Sequence, residues 1–468
     1  MSATDQEAAA PAEAGSQAPA APRPAKFLVG STMRHVVVMT ATASLGLMAI
    51  FVVDLFNLFY ISRLGDTSLT AAVGYASALL FMVTSICIGV MIATGALCSR
   101  ALGQGNRGVA RRFAASSLVW MVVVTTIFSA ATFPLLRPLL AALGAQGRTL
   151  DVATTYLMIA APTAPLMGIG LSFSGVLRAV GDARRAMYVT LSGAVVAAIL
   201  DPLLILVLGL GVNGAAIVLA FSRLSLALLG WYGAVRVHDL VARPSLRNTL
   251  ADAMPILAIA GPAVLANLAT PVANGYMTAV LSPFGDGAIA ANAVMGRVIP
   301  VCFGVIFALS GAVGPIFGQN FGAGRLDRVR QVLNDAFVVT TLYVLVVWVL
   351  LALARHGLVV LFDIRDAGAA DLIEFFCLVL AGSWIFHGLL FVANSAFNNL
   401  GSPVASTLFN WGKATLGTIP FAMIGADLAG AKGALTGQAL GAILFGVGGV
   451  WWAYRSMARL KPARLAVS

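Results

Sequence analysis

Apolar residues run in long blocks along this chain, and charged or Gly/Pro-rich punctuation separates the blocks. A helix that crosses the hydrocarbon core of a bilayer needs about 20 mostly apolar residues. On that measure the pattern predicts twelve spans, at roughly 36–60, 69–98, 110–136, 149–177, 184–209, 212–236, 251–281, 288–317, 329–355, 369–398, 403–426 and 431–455. The expected fold class is an all-α membrane protein of twelve transmembrane helices.

The punctuation is duplicated. Gly65-Asp66 matches Gly285-Asp286 and Gly181 matches Gly401, both at an offset of 220; LGQG at 102–105 matches FGAG at 321–324, and Gly214-Ala215 matches Gly433-Ala434, both at 219. Six spans per repeat is even, so both halves insert with the same orientation. They should be related by an axis along the membrane normal, with the substrate cavity between two pseudosymmetric six-helix bundles. The organisation expected is a disordered cytoplasmic tail over 1–27, an N-terminal bundle over 28–236, a cytoplasmic linker over 237–250, a C-terminal bundle over 251–456 and a basic cytoplasmic tail over 457–468.

Composition agrees with lipid as the solvent. The chain has 468 residues, 60% hydrophobic and 10% charged, where a soluble protein carries about 25% charged residues. The net charge is +11, and its distribution decides what that means. Of the 29 Lys and Arg, six (Arg63, Arg137, Arg148, Arg355, Arg365 and Lys432) fall on one side of the predicted spans, three (Arg223, Arg297 and Lys413) fall inside them, and the other 20 fall on the opposite side, with both tails. The positive-inside rule puts both termini in the cytoplasm. Basic patches such as Arg111-Arg112 and Arg184-Arg185 are then topology signals, not a nucleic-acid surface. The Ala-, Pro- and acid-rich stretch 1–27 lacks the basic and apolar regions of a signal peptide, so the first span should serve as an uncleaved insertion signal.

Against this apolar background two carboxylates stand out. Asp54 lies inside the first span and Asp201 inside the fifth. A carboxylate within a bilayer is costly, about 3 kcal/mol on insertion scales, so it usually faces a watery cavity and binds or relays a cation. The competing reading of Asp54 is a structural hydrogen bond, to Asn57 on its own helix or to another span. That of Asp201 is a bond to backbone groups freed by Pro202. In the second half the positions matching the two acids are Asn274 and about Ile419. That half instead carries Lys413 inside its eleventh span, either a second-site cation moving relative to Asp371 or Glu374, or a snorkelling side chain. Arg223 and Arg297 are expected to reach polar groups on neighbouring helices. Pro162, Pro165, Pro271 and Pro420 should kink their helices. Candidates for a cavity lining that adapts to varied organic cations are Phe56, Tyr60, Met82, Met167, Asn274, Tyr276, Phe307 and Lys413.

Other chemistry is absent from the pattern. Cys87, Cys98, Cys302 and Cys377 form no CxxC pair and read as small hydrophobes. His35, His238, His356 and His387 show no metal-ligand spacing, no Walker A pattern occurs, and no nucleophile–base cluster falls in the spans. The chain is therefore not expected to be an enzyme or to carry a cofactor or metal.

ISRLGD with LTAAVG downstream (61–66, 69–74), GQGNRGVARR (103–112), SGVLRAVGDARRAMYV (174–189), LDPLLILVLGLGVNGAA (200–216) and GQNFGAGRLDRVRQVL (318–333), in this order and spacing, resemble the multidrug and toxic compound extrusion (MATE) family. The likeness runs from about residue 33 to 456. It implies a V-shaped pair of six-helix bundles; the expected location is the bacterial inner membrane, and the internal pseudosymmetry makes a monomer sufficient. The likeness also implies antiport of H⁺ or Na⁺ against amphipathic, often cationic, organic compounds. The family's fifth-span carboxylate corresponds to Asp201. Its first-span acid corresponds to Asn57, six residues before Arg63, so Asp54 is inferred to act from one turn deeper, since i and i+3 share a helix face. The family's Asn four residues before the fifth-span acid and its Thr in span six read here as Ala197 and Leu219.

The expected function is a secondary active efflux transporter exchanging H⁺, with Na⁺ open, for small cationic organic compounds. If Na⁺ is the coupling ion, Asp54 and Asn57 are its expected ligands. An exporter or flippase of a lipid-linked or anionic metabolite is the alternative within the superfamily. A channel or receptor without coupled transport is the alternative outside it.

Overall fold

Helix boundaries fall where the sequence offers a side chain able to satisfy free backbone N–H groups. In the computed structural model, which describes residues 25–64 and 66–460, Asp66 accepts from the Ser68 N–H at 2.9 Å, Asn106 from Val109 at 3.0 Å, Asp182 from Arg185 at 3.1 Å and Asp366 from Ala369 at 2.7 Å. Each is an Asn or Asp at an N-cap, where a short polar acceptor is most stabilising. The helices so delimited are α1 (Thr32–Ile61), α2 (Ser68–Gly103), α3 (Arg107–Ala142), α4 (Gly147–Val180), α5 (Ala183–Val207), α6 (Gly211–Val237), α7 (Ala253–Phe284), α8 (Asp286–Gly322) and α9 (Leu326–Leu361). A tenth, α10, runs over 367–400. No strand occurs among the described residues.

The last apolar stretch, Pro403–Ala458, is one helical run of 56 residues. Its backbone breaks at Ala429 (φ −145°, ψ 27°) and Gly430 (φ 60°, ψ −144°), which divides it into α11 (403–428) and α12 (431–458). A Cβ built on Gly441 would lie 1.6 Å from the Gly417 carbonyl oxygen, one on Gly437 would lie 1.9 Å from that of Phe421, and one on Gly433 would lie 1.8 Å from that of Gly425. All three pairs are centred on residue 429, so the two helices fold back as an antiparallel hairpin. In lipid such close backbone approach replaces the hydrophobic drive available in water. The chain thus crosses twelve times.

The duplication extends to backbone conformation. Gly105 and Gly324 close their helices at φ 76° and 72°, and Gly181 and Gly401 at 89° and 94°, left-handed values that cost a glycine little. The fourth helix of each half is also broken at the same level: α4 by a 3-10 turn at Ala161–Thr163, α10 by one at Leu380–Ser383. Pro162 accounts for the first break. The second has no proline, so the kink belongs to the repeat and is not merely a proline's by-product. Carbonyls freed at the α4 break are used: Arg223 of α6 donates to the Ala160 oxygen and the Thr163 hydroxyl, both at 2.7 Å. Arg297, by contrast, is exposed.

The lobes α1–α6 and α7–α12 meet where α1 packs on α8 and α2 packs on α7 and α8. Under the repeat the first two contacts exchange and the third maps onto itself. Hydrogen bonds between the lobes cluster at the end that carries the termini. There Arg100 donates to the carbonyls of Asn399 (2.9 Å) and Asn398 (3.0 Å), and Gln319 donates to Ala179 (2.6 Å). Gln319 also accepts from the Phe27 N–H at 2.9 Å, and Phe27 itself is only 1% exposed. This corrects the expected tail at its end: Phe27 is packed between the lobes and the exposed Lys26 donates to the Gly181 carbonyl at 2.7 Å, while residues 1–24 lie outside the described residues. Two arginines expected in connecting loops, Arg100 and Arg178, also lie within helices and point inward.

Asp182, in the turn between α4 and α5, ties these connections to the one after α6. Partial burial disfavours its charge, but bonds from His238 (2.8 Å) and from the backbone and guanidinium of Arg185 hold its carboxyl below the usual carboxylate range. A depressed folded-state value means that the stabilisation is complete above the unfolded value of about 3.9 and is lost as pH falls through the folded one. Thermal midpoints measured in detergent from pH 5 down to 3 should therefore decline less steeply for Asp182→Asn than for the natural chain.

Candidate functional site

The face that α1 turns inward carries Ala43, Leu47, Ile50, Asp54 and Asn57, at steps of four, three, four and three residues, the spacing of a single helix stripe. On α5 the corresponding stripe is Ala183, Met187, Thr190, Ala194, Ala197 and Asp201. The first members of both stripes line a cavity of about 370 Å³ between the lobes, walled also by α2, α4, α7, α8 and α10. Away from the termini the α5 stripe ends in Asp201, and the α1 stripe ends in Asp54 followed one turn later by Asn57.

The two acids form one group. Asn57 Nδ2 donates to Asp201 Oδ1 at 2.9 Å, and Asp54 lies within electrostatic reach of Asp201. Asp201 is 1% exposed, whereas Asp54 is exposed. A deep carboxylate bridged to a neutral amide, with an open carboxylate beside it, can take up a cation from the open side and hold it inside. One competing reading of the sequence bonded Asp54 to Asn57 on its own helix; in the structure Asn57 bonds across to α5. Tyr156 of α4 joins the group, within electrostatic reach of both acids and of Arg223. Its partners lie on three other helices, so no local motif marked it. Asp201 opens a widened helical turn at Pro202–Val207. Its side chain faces Asn57, so the role expected from Pro202 alone does not account for it. Among the described residues no group of three His, Cys, Asp or Glu side chains is close enough to hold a metal ion.

Of the cavity candidates, Phe307 lines the space, with Phe391 beside it at 5.4 Å between ring centroids. Phe56 and Tyr60 stack on each other (6.2 Å) beyond the acids, and Met82 and Asn274 are exposed away from the cavity wall. Met167 packs against the core of the N-terminal lobe and Tyr276 against that of the C-terminal lobe. Lys413 begins a widened turn in α11 and sits 5.7 Å from the Phe391 ring, just behind the wall. It does not pair with the acids at the far end of α10: Asp371 bonds Lys432 at 2.6 Å, and Glu374 bonds His356 at 2.8 Å. The polar lining comes instead from residues the sequence did not single out, among them Arg178, Asn267, Ser310, Asn398 and Asn399. Arg178 stands in the SGVLRAVGDARRAMYV stretch and was counted among the basic residues beside a loop, but neither signal places it on a cavity wall.

Residues 42–203 and 262–424 each match the MatE family model, one match per lobe. The chain is 29% identical over 417 residues to the FAD transporter of Shewanella oneidensis, covering 88% of this chain and 92% of that protein. It is 23% identical over 370 residues to the multidrug export protein MepA of Staphylococcus aureus, covering 78% and 81%. The fold matches a crystal structure of a mutant of the Vibrio cholerae MATE transporter VcmN with a TM-score of 0.85, at 23% identity over 92% of this chain and 97% of that one. With both lobes matched and the twelve-helix architecture shared, this chain belongs to the MATE family of membrane transporters.

Proposed function

We propose that this transporter is a proton-coupled exporter in which Asp54 and Asp201 load and release the coupling ion, while an amphipathic organic compound occupies the cavity further along the same helix faces. The observation that carries this reading is the Asn57–Asp201 bond beside Asp54, at the end of two stripes whose other end lines the cavity. A bound proton fits this arrangement better than Na⁺. The Asn57 amide presents an N–H to Asp201, where a metal ion would require an oxygen, and among the described residues no third Asp, Glu, His or Cys joins the two acids to hold a metal ion.

The positive-inside distribution puts the terminus-bearing end in the cytoplasm. The hydrogen bonds between the lobes then close the cytoplasmic side, and the acids lie toward the periplasmic one. Protons would enter at Asp54 from outside and cargo would leave by the same mouth, in alternation. Both kinds of relative, MepA by its name a multidrug exporter and the Shewanella protein an FAD transporter, agree with an organic cargo. The twofold repeat within one chain makes a monomer sufficient.

The test uses proteoliposomes loaded with a fluorescent organic compound. An imposed pH gradient should drive its movement and an imposed Na⁺ gradient at uniform pH should not. Drive by Na⁺ alone would overturn the proton assignment and recast Asp54 and Asp201 as metal ligands.

A further inference from the structure

Among the described residues no carboxylate bonds Arg178. It sits near the end of α4, and its guanidinium borders the cavity between the lobes. It donates through Nη2 to Ser174 Oγ at 2.9 Å and more weakly, through Nε, to the Ser174 carbonyl at 3.4 Å, both on its own helix. Nη2 also approaches the Met91 sulfur at 3.4 Å. Nη1 makes no hydrogen bond among the described residues and lies toward Gly311 of α8: a Cβ there would come within 2.9 Å of it. The two ionisable residues on the stripes, Asp54 and Asp201, are at the opposite end. Among the described residues the cavity wall holds no carboxylate, and Arg178 is its one charged group.

A guanidinium inside a membrane protein is costly unless paired. Arg100, on the neighbouring α2, is committed to the carbonyls of Asn398 and Asn399. A second cation, Lys413, lies behind Phe391 and among the described residues has no carboxylate in ion-pair range, so it adds to the positive field and does not cancel it. Beside this charge the wall is flat and soft, with Phe307, Phe391, Met39, Met91 and Met187. Such a surface suits a fused-ring system.

We infer that the cavity is built for an aromatic anion, with Arg178 anchoring a phosphate or carboxylate and the Phe/Met wall holding the ring. This rests on the reading of the cavity as the cargo site and sets its substrate class on the anionic side. Arg offers a fork of donors that matches such a group in bidentate fashion, with Nη1 free to take part. Placing the anchor at one end of the stripes and the acids at the other lets proton and anion occupy the protein without neutralising each other.

The experiment is equilibrium binding by calorimetry to the purified full chain in detergent, with three probes of similar aromatic surface: flavin mononucleotide (anionic), riboflavin (the same ring without the phosphate) and ethidium (cationic). The natural chain should bind flavin mononucleotide at least tenfold more tightly than riboflavin, and ethidium most weakly. Arg178→Gln should erase the phosphate preference while leaving riboflavin affinity unchanged. Gly311→Ala, which keeps the charge but crowds Nη1, should reduce the preference several-fold and so separates anchoring from misfolding. Displacement of the nucleotide by phosphatidic acid would assign the phosphate to a lipid cargo, and failure to displace it would assign a soluble one; both keep the anchor. Equal binding of the two flavins, preference for ethidium, absence of binding, or a preference that survives Arg178→Gln would overturn the inference. None of these readouts involves an ion gradient, so a failure of proton coupling would be seen separately.

Discussion

Replacing both Asp54 and Asp201 by asparagine abolishes gradient-driven transport while leaving exchange of labelled for unlabelled cargo at equilibrium. Neither acid lines the cavity, so the cargo contacts survive the double substitution. Asparagine is close in shape to aspartate and can still hydrogen-bond Asn57, so the packing of α1 on α5 survives too. On the proposed coupling role, what disappears is the capacity to bind the ion. In proteoliposomes, uptake driven by an imposed pH gradient should fall to the level of empty liposomes. Counterflow, measured with equal pH on both sides, should stay within about twofold of the natural chain. Loss of both activities would show that the acids are structural, and retention of gradient-driven uptake would show that coupling lies elsewhere. The single substitutions should differ in degree. Asp201 is buried and bridged to Asn57, and Asn57→Leu, which removes that donor, tests the bridge alone. A hydrogen bond to a charged group contributes about 1.5–3 kcal/mol. Losing it should change the driven rate by roughly ten- to a hundredfold, with counterflow again unaffected.

How much of this arrangement the sequence discloses follows from where each signal resides. Helix count, duplication and the two acids are local properties: block length, punctuation and a charge inside an apolar run can be read without knowing any neighbour. The turn between the last two spans is also marked locally, by Gly430, whereas the break in α10 has no proline to announce it and emerges only from the structure. The partner of Asn57 is not. Asp54 is three residues away along the chain and Asp201 is 144 residues away in it, yet the bond goes to Asp201, because the packing of α1 on α5 decides it. Lys413 is a similar case: chain position allowed a partner at the far end of α10, but those acids are already committed to Lys432 and His356. Arg178 is the instructive failure. An arginine near a loop is normally a topology signal, and only the approach of α8 turns its side chain into a cavity wall. The aromatic and Met candidates were limited in the same way, because composition names a residue as suitable for a cavity but only rotation about the helix axis places it there.

The largest conformational effect should come from two glycines at the terminus-bearing end. A Cβ on Gly103 would stand 2.1 Å from the Gln319 carbonyl oxygen, and one on Gly322 would stand 2.1 Å from that of Arg100. Adding 219 to Gly103 and Arg100 gives Gly322 and Gln319, so the two approaches are the same contact taken twice across the axis that relates the lobes. Both obstacles are backbone atoms, which cannot rotate aside as a side-chain tip would. Gly103→Val or Gly322→Val therefore leaves the protein one inexpensive response, parting α2 from α8 at this end, which also breaks the Arg100 bonds to Asn398 and Asn399. Overpacking of this kind costs the closed form about 2 kcal/mol, a population shift of roughly thirtyfold toward the form open at the termini. The measurement is the rate at which a membrane-impermeant thiol reagent modifies a cysteine introduced at Ser310 in the cavity wall, in a chain whose Cys87, Cys98, Cys302 and Cys377 have been replaced. In inverted vesicles, where the proposed topology turns the terminus-bearing face outward, either valine should raise that rate by about the population shift. Gly74→Ala, where a Cβ meets nothing within 4 Å, should not. Because the two glycines close one symmetric contact, the double variant should exceed either single one by less than the product of their effects. Multiplicative effects would mean that the two contacts open independently, as two hinges and not one.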